Sequence, residues 1–422
     1  MSDQFSYKND ELFAEDVSIS TISKAVGTPF YLYSATSIID NFLSLKKSLD
    51  GLENLICYAV KANSNIAILK LLSQLGAGMD VVSIGEYLRA KVAGVPGEKI
   101  VFSGVGKRRD EISQVLIGGI KQFNIESEAE LNVLNEISLS LNKRTSITIR
   151  VNPDIDAKTH EKISTGKKDN KFGIPINRAR EVYLKASQML GVKVVGVDVH
   201  IGSQLTDLEP FRMAFTKVAE LVNNLLKDGH EINSLDLGGG LGISYKKTND
   251  VQPSLQEYGQ IIRETVGSLG CEILVEPGRF IVGNAGILVS EIIYKKFGED
   301  REFLIVDSAM NDLIRPSLYA AYHEILPIKE PNNNSSFVCY DVVGPVCETG
   351  DTFATQRSLM KMESGELLAF MSAGAYGSVM ASEYNTRPLI PEVLVKGDNF
   401  SIIRARPLVE DIIQRDIVPD WV

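Results

Sequence analysis

The sequence predicts an α/β protein: a parallel (β/α)8 barrel with a second, antiparallel β domain. Two observations predict the barrel. Eight short apolar, strand-like runs recur from about residue 55 to 282, and amphipathic segments of helical period lie between them. A third observation predicts the second domain: after about residue 283 the chain becomes a series of short β-rich runs joined by turns, without helical crossovers.

The barrel strands are expected at 56–62, 78–83, 99–103, 122–126, 146–152, 194–202, 234–239 and 272–277, each a mostly continuous apolar run. Helices are expected at 64–75, 84–93, 128–141 and 211–228, where apolar residues return every three or four positions. A doubly wound sheet is the alternative; the even spacing and the lack of a GxGxxG after the first strand favour the barrel. In the second domain, strands are expected at 286–295, 303–306, 336–343, 367–372, 392–395 and 399–404, with a polar loop at 332–336. The division is therefore 33–282 for the barrel and 283–422 for the β-rich domain, with 1–32 packed on the latter.

A net charge of −10 argues against nucleic acid or an anionic membrane as the main partner. Apolar stretches are broken by charges or glycines before membrane-spanning length, and the polar start MSDQFSYKND lacks a signal-peptide core. Four widely separated cysteines without a CxxC pair, and four histidines without HExxH, point to a reduced, cytoplasmic protein with no metal site.

In a βα barrel the reactive groups stand at the carboxyl ends of the strands. Here the first strand ends at Lys61, the sixth in His200-Ile201-Gly202-Ser203, the seventh in Gly238-Gly239-Gly240, and the eighth in Glu276-Pro277-Gly278-Arg279. A lysine just past a buried strand sits in a partly dry setting that favours a neutral, nucleophilic amine. Each group has a task if the ligand is pyridoxal 5'-phosphate. Lys61 would hold the aldehyde as a Schiff base, and Gly239 and Gly240 would bring bare amides close to the phosphate. Glu276 would keep the pyridine nitrogen protonated, His200 would stack on the ring, and Ser203 would donate to the phosphate. Each also has a plain reading: a solvated strand end, a flexible turn, a hydrogen-bonded core histidine, a Glu-Pro-Gly turn. Their coincidence at one barrel mouth favours the cofactor.

The segments YAVKAN (58–63), HIGSQ (200–204), DLGGGLG (236–242) and EPGR (276–279) resemble the alanine-racemase-type barrel enzymes that use pyridoxal phosphate. Within that group the resemblance is to the decarboxylases, most closely the diaminopimelate decarboxylase family. It spans about 25 to 415 and includes ISTG (163–166) with KFGI (171–174), MNDLIRPSLY (310–319), GPVCETGD (344–351) and GAY (374–376). The resemblance implies that Pro277, Gly278, Arg279 and Tyr376 also meet the cofactor. It implies that Arg279, Arg315 and Tyr319 hold a substrate carboxylate, as a planar guanidinium does well. Glu348 would receive the distal amino group, Tyr376 would lie near both phosphate and substrate, and Cys347 would protonate the carbon that has lost carbon dioxide. The implied reaction converts meso-2,6-diaminopimelate to L-lysine, the last step of lysine biosynthesis by that route. The implied assembly is a homodimer whose sites are completed by Cys347 and Glu348 of the partner subunit. A decarboxylase of lysine, ornithine or arginine, a racemase, or a non-catalytic relative are the rival readings. The loop 166–171 is expected either to close over the mouth or to be a solvated basic loop.

Overall fold

The computed structural model describes residues 4–156, 170–246, 252–332 and 334–422. The chain divides into two compact units, one of Ile39–Ile243 with Val251–Phe280, the other of Met1–Ile38 with Ser244–Asp250 and Ile281–Val422.

The first unit is a closed barrel of eight parallel strands in chain order: Asn54–Ala59, Gly78–Val81, Ile100–Phe102, Gln122–Ile125, Thr145–Asn152, Val192–Val199, Ser234–Asp236 and Glu272–Val275. The eighth strand closes on the first, with Ile273 opposite Asn54. A two-residue strand, Ile174–Pro175, lies parallel against the fifth.

Most of the strands stop before their expected ends. Val60–Ala62 is a 3-10 turn rather than ladder, and His200, Gly238 and Glu276 lie past the last pairing of their strands. The chain leaves the sheet where its polar residues turn into the mouth. The helices start at capping side chains: Asn65 accepts the Ala67 N–H, Ser83 that of Glu86, and Ser127 that of Glu130. Each then lays one apolar face on the barrel, Ile68, Leu69 and Leu72 in one case, Leu131, Leu134 and Ile137 in another. Burial of each such side chain contributes about 1.5–3 kcal/mol. Three further helices, Arg109–Gly118, Ala179–Ser187 and Leu255–Thr265, belong to the same unit. Tyr258 of the last packs edge-on against Phe211 of helix Glu209–Lys227 at 5.3 Å.

The strands also correct the expectation of continuous apolar runs. Gln122-Phe123-Asn124-Ile125 alternates, as do Thr148 to Asn152 and Ser234-Leu235-Asp236. The apolar members pack outward, as Phe102 stacks on Phe123 at 5.7 Å. The polar members meet across the interior: Ser234 Oγ donates to Gln122 Oε1 (3.4 Å) and Asn124 Nδ2 to Asp236 Oδ2 (3.0 Å). A buried polar group is tolerated when another supplies its hydrogen bond.

The second unit is a mostly antiparallel sheet built around Gly286–Phe297, which pairs with Phe30–Ser34, Leu367–Phe370 and Glu302–Val306. Two pairings are parallel, Glu302–Val306 with Phe337–Val343 and Phe30–Ser34 with Glu392–Lys396. A nine-residue strand that the sequence reading omitted, Thr352–Met360, pairs with Phe337–Val343. Residues before Phe30 join this unit's core, where Phe5, Leu12, Ile19 and Ile22 pack with Phe30, Leu32, Ile287, Val289 and Val393. Among the described residues, no helix is long and apolar enough to cross a membrane, and no cluster of three or more histidine, cysteine or acidic side chains could hold a metal ion.

Candidate active site

At the carboxyl end of the first strand, Tyr58 hydroxyl donates to the Asn63 carbonyl (3.0 Å) and Asn63 Oδ1 accepts the Asn65 N–H (3.1 Å). The tight turn so formed carries Lys61. Its ammonium meets Asp80 Oδ2 at 2.8 Å, with the Asp80 carboxylate fully buried at the end of the second strand. Lys61, with its side chain 35% exposed, is thus paired with a buried carboxylate at the strand end. The turn after the eighth strand lies alongside, since the Pro277 carbonyl accepts the Ala59 N–H (3.0 Å).

His200 is partly buried, and its Nδ1 accepts the Gly239 N–H at 3.0 Å. Burial, followed by the charges of Arg150 and Lys61, holds its pKa well below the ordinary imidazole value, so the ring is neutral. The Gly239 amide thus meets the imidazole in this structure, and Gly240 follows it on the same loop. Both positions require glycine. A Cβ on Gly239 would run into the Glu276 carbonyl oxygen; Gly240 has φ +118°, and its Cβ would stand 2.7 Å from the Gly202 carbonyl. The loop is fastened to the HIGSQ segment by Leu205 N to Gly240 O and Gly242 N to Leu205 O, both 2.9 Å. Gln204 clasps it as well, donating to Ile243 O (2.6 Å) and accepting Ile243 N (3.2 Å).

Glu276 is buried, and its Oε1 accepts from Ser103 Oγ (3.2 Å) and Asn124 Nδ2 (3.4 Å). Desolvation, then the charges of Asp236 and Asp80, push its pKa well up; Lys61 and Arg150 oppose them. Asp236 is pushed up to about 7, by burial first and then by Asp198. Arg279 Nη2 donates to Ser203 Oγ (3.1 Å), which joins the eighth-strand turn to the sixth. Behind these groups lies a buried ion pair. Arg150 Nη1 meets Glu126 Oε1 at 2.7 Å, and Glu126 accepts the N–H groups of Gly104 (3.2 Å) and Gly173 (2.9 Å).

Lys61, His200, Ser203, Gly239, Gly240 and the 276–279 turn are thus brought to one end of one barrel. The sequence reading missed Asp80, Asn124, Glu126, Arg150 and Gln204. The available signal was a charged or amide residue within or just past an otherwise apolar strand.

The other proposed site residues belong to the second unit. Arg315 opens the short helix Arg315–Tyr319, is buried, and lies over the Tyr245 ring at 5.1 Å. Cys347 is exposed, its N–H donating to Asn385 Oδ1 (3.3 Å), and Glu348 takes a hydrogen bond from Tyr384. Asp351 ties the two motifs together, accepting Met310 N on Oδ1 (2.6 Å) and Val346 N on Oδ2 (2.7 Å). Tyr376 takes the left-handed conformation, φ +55°, in the GAY turn. The ISTG motif and residues 166–169 of the lysine-rich loop lie outside the described residues.

These groups fit pyridoxal phosphate: an amine at the mouth, a glycine cradle that a Cβ would fill, and a buried carboxylic acid facing neutral donors. Residues 35–283 match the family model of the pyridoxal-dependent decarboxylase, pyridoxal binding domain. The chain is 45% identical to a diaminopimelate decarboxylase of Zymomonas mobilis, over 99% of both chains. It is 47% identical to one of Pseudomonas aeruginosa, over 97% of this chain and 98% of that one. The crystal structure of diaminopimelate decarboxylase from Helicobacter pylori complexed with L-lysine superposes with a TM-score of 0.90 at 44% identity, over 94% of this chain and 98% of that chain. With near-complete overlap at such identity, and a barrel mouth suited to the cofactor, the chain belongs to the diaminopimelate decarboxylase family.

Proposed function

We propose that this protein removes one carboxylate from meso-2,6-diaminopimelate to give L-lysine and carbon dioxide, with pyridoxal phosphate as cofactor. The observation that carries the reading is the identity of 44–47% to diaminopimelate decarboxylases over nearly the whole chain. Bound at the mouth, the cofactor supplies the electron sink that makes loss of an α-carboxylate feasible.

The chain's own residues hold and orient. Lys61 would hold the aldehyde covalently, with Asp80 keeping its amine in place. Glu276 would keep a proton at the ring nitrogen, and His200 would cover the ring. Gly240, Ser203 and the 277–279 turn would take the phosphate, with Tyr376 beside it. Arg279, Arg315 and Tyr319 would bind the carboxylate that stays, and Glu348 the amine beside it. A substrate without that second carboxylate leaves guanidinium charge unpaired, which discriminates strongly. Cys347 would deliver the proton from its Sγ to the carbon that has lost carbon dioxide. Its exposure supports a homodimer in which this segment completes the site of a second copy. Four free cysteines, two of them exposed, support a reducing, cytoplasmic setting.

The test is release of carbon dioxide and L-lysine by the purified protein with pyridoxal phosphate, offered meso-diaminopimelate, lysine, ornithine and arginine in parallel. Release from diaminopimelate alone is expected. Release from another of the four in preference overturns the substrate assignment of Arg279, Arg315 and Glu348.

A further inference from the structure

The barrel interior holds one buried amide whose orientation is dictated on every side. Asn124, on the fourth strand, is fully buried, and its Oδ1 accepts from Gln122 Nε2 (2.9 Å) and Thr148 Oγ1 (2.7 Å). A carbonyl oxygen has two lone pairs, so these two donors fill it and fix which end of the amide is nitrogen. Nδ2 must then face the other way, towards Ser103 Oγ (3.1 Å), Asp236 Oδ2 (3.0 Å) and Glu276 Oε1 (3.4 Å). Two N–H groups serve three acceptors. Ser103, having accepted from Asn124, passes its own hydroxyl hydrogen to Glu276 Oε1 at 3.2 Å. The opposite oxygen of Asp236 is held by the Gly238 N–H (3.1 Å).

All hydrogen bonds to the Glu276 side chain therefore converge on Oε1. Among the described residues Oε2 takes none. With both hydrogen bonds on Oε1, Oε2 is the oxygen left to meet a further partner. We propose that Asn124 is a positioning residue for the decarboxylase: set by Gln122 and Thr148, and acting with Ser103, it holds Glu276 so that Oε2 alone is presented to the cofactor's ring nitrogen. The proposal rests on the reading of Glu276 as the group that meets that nitrogen. Asn124 and Gln122 lie on the fourth strand, Thr148 on the fifth, Ser103 just past the end of the third, and Glu276 in the turn after the eighth, so the orientation depends on closure of the barrel.

The experiment compares Asn124→Ala, Ser103→Ala, Glu276→Gln and the double variant Asn124→Ala/Glu276→Gln with the parent holoenzyme. It reads the dissociation constant of pyridoxal phosphate, the visible absorption spectrum of the bound cofactor across pH, kcat and KM, and the melt of the apoprotein. Asn124→Ala is expected to lower kcat by about 10- to 100-fold with KM little changed, and to shift the cofactor spectrum in the direction of Glu276→Gln. In the Glu276→Gln background the same substitution is expected to add almost nothing, because it acts through Glu276. An unchanged cofactor spectrum and affinity in folded Asn124→Ala, whatever its melt, overturns the proposal; so do effects that multiply in the double variant. If Asn124→Ala does not fold, Ser103→Ala, which removes one hydroxyl, is read by the same criteria. Failure of the substrate assignment is separable: no diaminopimelate turnover with the spectral and affinity changes intact refutes that assignment and leaves the positioning role standing.

Discussion

Replacing Arg150 with methionine removes the cation from the buried ion pair behind the site. Arg150 Nη1 and Glu126 Oε1 are 2.7 Å apart, with side chains 8% and 1% exposed, so water screens them little. Breaking such a pair from one side costs about 3–5 kcal/mol, since the remaining charge has lost its partner. Glu126 keeps the N–H groups of Gly104 and Gly173, and Met can keep contact with the Phe172 ring that lies 4.9 Å from the guanidinium. Both effects place the cost at the lower end, about 3 kcal/mol. For a unit of about 150–250 residues each kcal/mol moves the melting temperature by about 2–4 °C, so Arg150→Met melts roughly 6–12 °C lower. Circular dichroism of the apoprotein measures this. Glu126→Gln/Arg150→Met, which buries no lone charge, is expected to lose clearly less than the two single variants together. A single variant melting within about 2 °C of the parent, or strict additivity in the pair, refutes the reasoning.

Three further outcomes follow from the same geometry. Lys61→Ala abolishes turnover and the visible band of the covalently held cofactor; retained turnover would remove Lys61 from the reaction. Gly239→Ala forces a methyl against the Glu276 carbonyl, a backbone clash costing about 1–3 kcal/mol, and weakens pyridoxal phosphate binding measured by equilibrium dialysis. Asp236 has a pKa raised from 3.8 to about 7, so the folded state keeps a proton that the unfolded chain gives up between about pH 4 and pH 7. Its contribution to stability is complete at acidic pH and is lost as pH rises to about 7, at up to about 1.4 kcal/mol per pH unit. Urea midpoints of the apoprotein at pH 5 to 8 should show a shallower fall for Asp236→Asn than for the parent; identical slopes count against a buried protonated acid.

The barrel was legible in the chain because its period is carried by buried residues such as Leu69, Leu72, Leu131 and Leu134, which sequence position alone puts on one face. Lys61, Gly240 and Glu276 were legible for a related reason: a strand end in a βα barrel is a place, so a residue there has an address. The ends of the strands were not, since nothing local says that Lys61 sits in a 3-10 turn. Strand Thr352–Met360 escaped because its exposed Thr355, Gln356 and Ser358 break the apolar pattern. The interior network escaped for a deeper reason. Asn124 and Asp236 are 112 residues apart, and an amide in a strand reads as a solvent-facing position until closure of the barrel puts it inside. The engagement of Gly239 by His200 belongs to the same class, a long-range hydrogen bond between two segments that each looked complete.

That last contact has a consequence for the fidelity of the chemistry. Because Nδ1 of His200 accepts the Gly239 N–H and the ring is neutral, its hydrogen sits on Nε2. The imidazole is therefore a donor on its outer edge, with no lone pair to offer there. An amino acid activated at its α-carbon can lose either carbon dioxide or a hydrogen ion, and a nearby base would reward the second, giving exchange of configuration instead of lysine. Held in this tautomer by one glycine, a histidine placed over the ring as proposed above would not compete for that hydrogen.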